Sequence, residues 1–216
     1  MAALGMATMF LLRPATACKD REAQARRHTA PKLLRFWGRP VFIRIIKEER
    51  VLELWLQSSH SGQWSLFETY PIAAMSGALG PKLREGDAQA PEGFYRVPLS
   101  ALNPKSRYYL SFNIGYPNRY DREQGRTGSA IMVHGSNVSV GCFAMTDPLI
   151  EEIYTLVAAA LRAGQAYVPV QVYPFRMTPQ RLAEASRSPH AAFWQRLVPA
   201  WQHTERFHAP WPDSDN

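Results

Sequence analysis

The sequence predicts a mainly β (α+β) chain with one central helix and a helical C-terminal appendage. Three observations lead there. Short β-branched and aromatic segments alternate apolar with polar residues, the period of a half-buried strand. Seventeen prolines are scattered along 216 residues, which disfavours a helical bundle. Ahead of the tail, only Thr146 to Gly164 combines clear helical spacing with matching end signals.

Taken in order, Ala2 to Leu12 is uncharged and mostly apolar. It is too short to cross a bilayer, which takes about 20 residues. Followed by the small residues Ala15, Thr16 and Ala17, it fits a secretory signal peptide over residues 1–17, though no basic residue precedes it. Cys18 then fits the first mature residue or a lipid-modified one. Ala15 stands where lipidation favours a Leu-like residue and speaks against the second. The charged run Lys19 to His28 reads as a linker, reaching to residue 37. One domain over 38–177 follows, and a helical C-terminal extension over 178–216.

Val41 to Ile46 and Val51 to Leu56 form a hairpin around the polar turn Lys47 to Arg50. Trp64 to Ala74 is a third strand, interrupted at Pro71. Gly77 to Gly93 is a loop rich in Gly, Pro and charge, leading into a strand at Phe94 to Val97. Tyr108 to Ile114 and Ala130 to His134 are further strands around a polar loop, Tyr116 to Ser129. The central helix has Thr146 or Asp147 as cap, Pro148 in its first turn, and Leu149, Ile153, Leu156, Val157 and Ala160 on its apolar face. Val168 to Tyr173 is the last strand. From Thr178 the tail is helical, with Phe193, Trp194, Leu197 and Trp201 facing inward.

Lys and Arg number 25 against 18 Asp and Glu, a formal charge of +7. Such a chain is drawn to anionic surfaces such as a cell envelope. It has no nucleic-acid-binding motif and no dense basic stripe, which argues against nucleic acid. No later segment is apolar for long enough to be a transmembrane helix. The six histidines show no metal-ligand spacing, and Gly80 to Gly86 lacks the ending of a phosphate loop. Neither a metal nor a cofactor is expected.

The chemistry concentrates in Ile131 to Met145. An apolar strand ends in His134; a short loop then delivers Gly141 and Cys142 just before the helix. On residue type alone, Cys142 is equally a small buried hydrophobe or a nucleophile. The nearby histidine favours the nucleophile, because an imidazole can draw off the thiol proton. Such a partner also lowers a thiol pKa, so replacing His134 should raise it. Gly141 leaves room for a substrate carbonyl, and backbone N–H groups of the loop can hold an oxyanion.

His134-Gly135 followed by Ser139-x-Gly141-Cys142 resembles the catalytic signature of the L,D-transpeptidase (YkuD-type) family. Pro91-Glu92-Gly93-Phe94-Tyr95 resembles that family's second hallmark turn. The short His-to-Cys spacing and Gly141 to Asp147 resemble its YafK-type branch. So do Gly80-Pro81-Lys82, Ser106 to Tyr109, Asn113 to Asn118 and Tyr173 to Met177. The match spans roughly residues 38–180.

The resemblance implies an L,D-transpeptidase-type β-rich fold in the periplasm, acting on peptidoglycan stem peptides. It implies a cysteine thiolate attacking the carbonyl beside a meso-diaminopimelate centre. By motif position Cys142 is the nucleophile, His134 the general base, and the Gly135 carbonyl the group that orients the imidazole. Ser139 stands at the family's hydroxyl position. Two residues depart from the wider family: Val140 replaces a second histidine, and Ala144 replaces an arginine. The first leaves His134 as sole base; the second weakens any acceptor-binding role. The YafK-type branch implies hydrolysis of the link between diaminopimelate and an outer-membrane lipoprotein. Cross-link formation is the alternative, and a non-catalytic wall-binding module the third reading.

Carboxylate-rich stem peptides suit arginine. Lys82, Arg84, Arg107, Arg119 and Arg122 all lie in polar loops. Arg107 and Arg122 are expected at the substrate, with Tyr120 closing over the site, and the others as solvated surface.

Overall fold

The structure, a computed structural model, describes residues 20–212. The signal peptide expected over 1–17 and Cys18 lie outside the described residues.

Two sheets and a helix between them make the core. The larger sheet has the order β3-β2-β1-β9-β4. It is built from β1 (Val41–Ile46), β2 (Val51–Gln57), β3 (Trp64–Pro71), β4 (Gly93–Pro98) and β9 (Tyr167–Tyr173). β1 and β9 run parallel; the other pairs are antiparallel. The smaller sheet, β5-β6-β7-β8, comprises β5 (Leu102–Asn103), β6 (Ser111–Asn113), β7 (Met132–His134) and β8 (Phe143–Ala144). α3 (Asp147–Arg162) touches β1 and β9 of one sheet and β6 and β7 of the other, burying Ile150, Ile153, Leu156, Val157 and Ala160.

The near-continuous apolar run of β1 has a physical cause: both faces of this central strand are covered. Val41, Ile43 and Ile45 belong to the core around α3. Ile46 and Tyr173 lie in a second core with Phe175, Trp194, Leu197 and Trp201. The last three come from the expected helical tail, which forms α4 (Pro179–Glu184) and α5 (Ala191–Phe207). Phe193 is only half-buried. Arg44, pointing to the same side, is buried against Glu53 at 2.7 Å and Glu205 at 2.6 Å.

Three local expectations change. Much of the linker expected over 18–37 is a helix, α1 (Asp20–Leu33), packed on α3. Ala25, Thr29 and Leu33 recur every fourth residue and are buried, while Lys32 pairs with Glu152 of α3 at 2.7 Å. The strand expected over 108–114 keeps only Ser111–Asn113. Tyr109 takes a positive φ of 72°, which turns the chain out of the ladder. The polar loop 116–129 contains α2 (Arg119–Glu123), closed by a capping box between Asn118 and Asp121.

Candidate active site

β7 is the scaffold of the site. It pairs with β6 on one side and β8 on the other. The parallel register aligns Val133 with Phe143 and His134 with Ala144. Cys142 stands just before β8, and its sulfur meets the Met132 N–H, two residues before His134. Thus the strand that ends in the histidine lies beside the one that begins after the cysteine.

His134 is buried. Its Nδ1 lies 2.5 Å from the Gly135 carbonyl. A carbonyl only accepts, so Nδ1 carries the hydrogen and Nε2 keeps its lone pair. The Tyr108 ring lies on the imidazole, centroids 4.8 Å apart and planes tilted by 30°. Burial holds the imidazole below its usual pKa, with the Gly135 carbonyl acting the other way. His134 is therefore a neutral base at neutral pH.

Cys142 is half-buried and is a free thiol. Its S–H donates to the Ala130 carbonyl at 3.6 Å, and its sulfur accepts the Met132 N–H at 3.3 Å. Burial pushes the thiol pKa up, while the Met132 N–H and the charge of Lys82 pull it down. The thiol's hydrogen bonds go to backbone, not to the imidazole, which corrects the expectation that His134 sets the resting pKa of the thiol. The pair rests as thiol and neutral imidazole.

The loop between them is held from several sides. Ser136 N–H donates to Asp147 Oδ1 at 2.8 Å, tying the loop to the first turn of α3. Thr146 makes no side-chain cap for that helix. Ser139 Oγ donates to the Cys142 carbonyl at 2.7 Å. Gly141 N–H donates to Ser76 Oγ at 2.7 Å, and Ser76 donates to the Ala88 carbonyl at 2.7 Å. Ser139 and Gly141, expected at the substrate, brace the loop that carries Cys142. Gly141 is needed for its backbone, with φ at 79°, more than for open space. Its N–H is already spoken for and does not face an oxyanion.

At Gly135 the constraint is space. A Cβ there would lie 2.5 Å from Asp147 Oδ1, 2.9 Å from the Tyr108 carbonyl and 3.0 Å from Ile150 Cγ2. Gly135→Ala is expected to cost about 1–3 kcal/mol by overpacking. Thermal melting checks the cost, and a turnover assay should fall with it as the carbonyl under His134 shifts.

The expected substrate residues disperse. Arg107 is exposed beside Tyr108, on the loop that covers His134. Arg122 is exposed on α2, where its Nη1 donates to the Pro117 carbonyl at 2.5 Å. Tyr120 stacks on Phe193 of α5 at 5.9 Å and does not close over Cys142. The two lie in a pocket of about 250 Å³ with Phe94, Arg196 and Trp211, which neither Cys142 nor His134 lines. Lys82, expected on the solvated surface, is buried.

Sequence reasoning missed Tyr108 and Ser76. Tyr108 is held in place from far along the chain. Arg21 of α1 donates to the carbonyls of Ser106 at 2.8 Å and Tyr109 at 3.1 Å, and Tyr109 Oη bonds Glu151 of α3. Among the described residues, no group of three or more His, Cys, Asp or Glu side chains is placed to share a metal ion. No helix among them is long and apolar enough to cross a membrane.

Comparison with known proteins agrees with this geometry. Residues 40–172 match the family model of the L,D-transpeptidase catalytic domain, YkuD. The chain is 46% identical over 173 residues to the putative L,D-transpeptidase YafK of Escherichia coli, covering 80% of this chain and 70% of that one. It is similar in fold to the helical cell shape determining protein Pgp2 of Campylobacter jejuni. The TM-score is 0.50 at 20% identity, over 85% of this chain and 65% of Pgp2. A point variant of Pgp2 gives a TM-score of 0.51 at 20% identity, over 89% of this chain and 67% of that one. Domain match, identity and fold together show that the chain belongs to the L,D-transpeptidase catalytic-domain family.

Proposed function

We propose that this chain is a cysteine-dependent hydrolase of the link between peptidoglycan diaminopimelate and an outer-membrane lipoprotein. The observation that carries the cysteine mechanism is the His134 tautomer. Nδ1–H is spent on the Gly135 carbonyl, leaving a basic Nε2 at the end of the strand whose Met132 N–H meets the Cys142 sulfur. The Cys142 thiol gives its proton to Nε2, and its sulfur attacks the carbonyl carbon at the diaminopimelate centre. His134 then returns the proton to the leaving amine as the C–N bond breaks. A thioester remains, and water or a second amine opens it.

Ala144 favours water. It is fully buried, and its backbone N–H and carbonyl bond Ala74 and Ala73. Nothing from that position reaches a charged acceptor. Losing one charged contact costs about 1.5–3 kcal/mol, or roughly a tenfold to hundredfold change in partition. The reading includes export by the apolar run Ala2 to Leu12, which brings the enzyme to its substrate in the periplasm. The relative YafK, named a putative L,D-transpeptidase, favours a second reading, transfer to an amine that forms or remodels cross-links.

Lipoprotein-linked muropeptides incubated with the enzyme and an excess of amine acceptor, followed by mass spectrometry, separate the two. Released lipoprotein with a free diaminopimelate carboxylate is expected to dominate. A majority of new amide bonds overturns hydrolysis in favour of transfer.

A further inference from the structure

We propose that Lys82 is a positioning residue for the reaction: its ammonium is the permanent positive charge that favours the Cys142 thiolate, and Asp87 sets how much of that charge the sulfur feels. The inference rests on Cys142 being the nucleophile.

A lysine in a loop of glycines, prolines and charges is ordinarily solvated. Lys82 is only 4% exposed. Burying an ammonium is costly unless it is paired and hydrogen-bonded. Its Nζ donates to Asp87 Oδ1 at 2.5 Å and to the Arg84 carbonyl at 2.9 Å, and lies 5.9 Å from the centre of the Tyr116 ring. A burial arranged this fully puts the charge at a chosen place.

That place adjoins the nucleophile. The Lys82 stem runs against Gly128, where an added Cβ would come within 2.8 Å of Lys82 Cε. Two residues on, the Ala130 carbonyl receives the Cys142 S–H; two further, the Met132 N–H reaches the sulfur. One short segment therefore carries the lysine at its start and the thiol along the rest. The charge of Lys82 pulls the Cys142 thiol pKa down against the effect of burial. The neutral imidazole brings no charge until it has taken the proton.

The clasp sets a fixed counter-charge against the ammonium. Asp87 is held at about 2: partial burial pushes it up, but Lys82 and the N–H groups of Arg84, Leu83 and Gln89 outweigh that. Its two oxygens serve three backbone donors besides Lys82. These bonds favour the ionised carboxylate without removing its charge, so Asp87 opposes the field of the ammonium at the sulfur. The same loop supplies the Ala88 carbonyl, which Ser76 links to Gly141 N–H beside the cysteine. In the reaction Lys82 exchanges no proton. The thiol proton goes to His134, and the ammonium stabilises the charge left on sulfur until the C–S bond forms.

The test follows the rate of iodoacetamide alkylation of Cys142 against pH in the full chain, with mass spectrometry of peptides separating Cys142 from Cys18. Lys82→Gln removes the charge and should slow alkylation at pH 7.5 by about three- to tenfold, with its pH profile displaced upward. Asp87→Asn removes the opposing charge and should speed alkylation, with the profile displaced downward. A merely structural clasp would loosen in both variants and move both profiles the same way, which overturns the proposal. So does an unchanged profile in Asp87→Asn, and that arm decides alone if Lys82→Gln does not fold. The assay contains no peptidoglycan, so failure here leaves the hydrolase reading to stand or fall on its own products.

Discussion

Cys142→Ala is expected to lose turnover by about ten-thousand-fold or more while keeping its fold. Catalysis through a thioester has no substitute for the sulfur, so what remains is binding and any direct attack by water. The fold should survive because little else rests on this side chain. The thiol is half-buried, and its two partners are backbone groups of the neighbouring segment. The braces of the loop, Ser139 on the Cys142 carbonyl and Ser76 on Gly141, involve backbone atoms that alanine retains. Melting within about 3 °C of the parent, with no product from lipoprotein-linked muropeptide, is the expected pair of results. A variant with near-parental activity would exclude Cys142 as nucleophile. Loss of folding together with activity would make the cysteine a structural residue.

His134→Ala is expected to slow acylation by about a hundred- to ten-thousand-fold, the usual span of a general base. The second measurement is more diagnostic. The sulfur's partners are Met132 and Ala130, so the alkylation profile of Cys142 should stay close to the parent's in this variant. A profile displaced upward would show a resting thiolate–imidazolium pair instead. The pH dependence has a definite sign. Burial holds the imidazole below 6.5, so loss of the base on acidification sets in below pH 6.5. Burial pushes the thiol up from 9.0, so alkylation in the parent should still be rising at pH 9. Turnover in the parent is therefore expected to persist at a pH where few thiolates exist, as proton transfer coupled to attack requires.

The parts of this site visible in sequence were those fixed by short-range pattern. β1, β2 and β9 follow from runs of apolar residues, and α3 from its spacing of Leu149, Ile153, Leu156 and Val157. His134 and Cys142 stand out because a strand, a histidine, a glycine and a cysteine follow each other within one segment. What stayed hidden depends on distant partners. Lys82 is buried only because Asp87 and Tyr116 receive it. Tyr108 meets His134 only because Arg21 and Glu151 hold its loop. α1 hid because its buried stripe of Ala25, Thr29 and Leu33 is narrow and charged residues surround it. Tyr120 was misassigned because polarity marked the segment as a loop, while α5 supplied a ring for it to stack on.

The thiol's hydrogen bond to the Ala130 carbonyl bears on chemical durability as well as on catalysis. Peroxides and disulfides attack a thiolate, and a cysteine kept in its protonated form offers them little to attack. A nucleophile paired with an imidazolium would be permanently exposed to such losses. On the mechanism proposed above, the sulfur becomes reactive only as its proton leaves for Nε2, and between turnovers the thiol offers oxidants little to attack. Keeping Cys142 as the thiol is therefore expected to slow its oxidation.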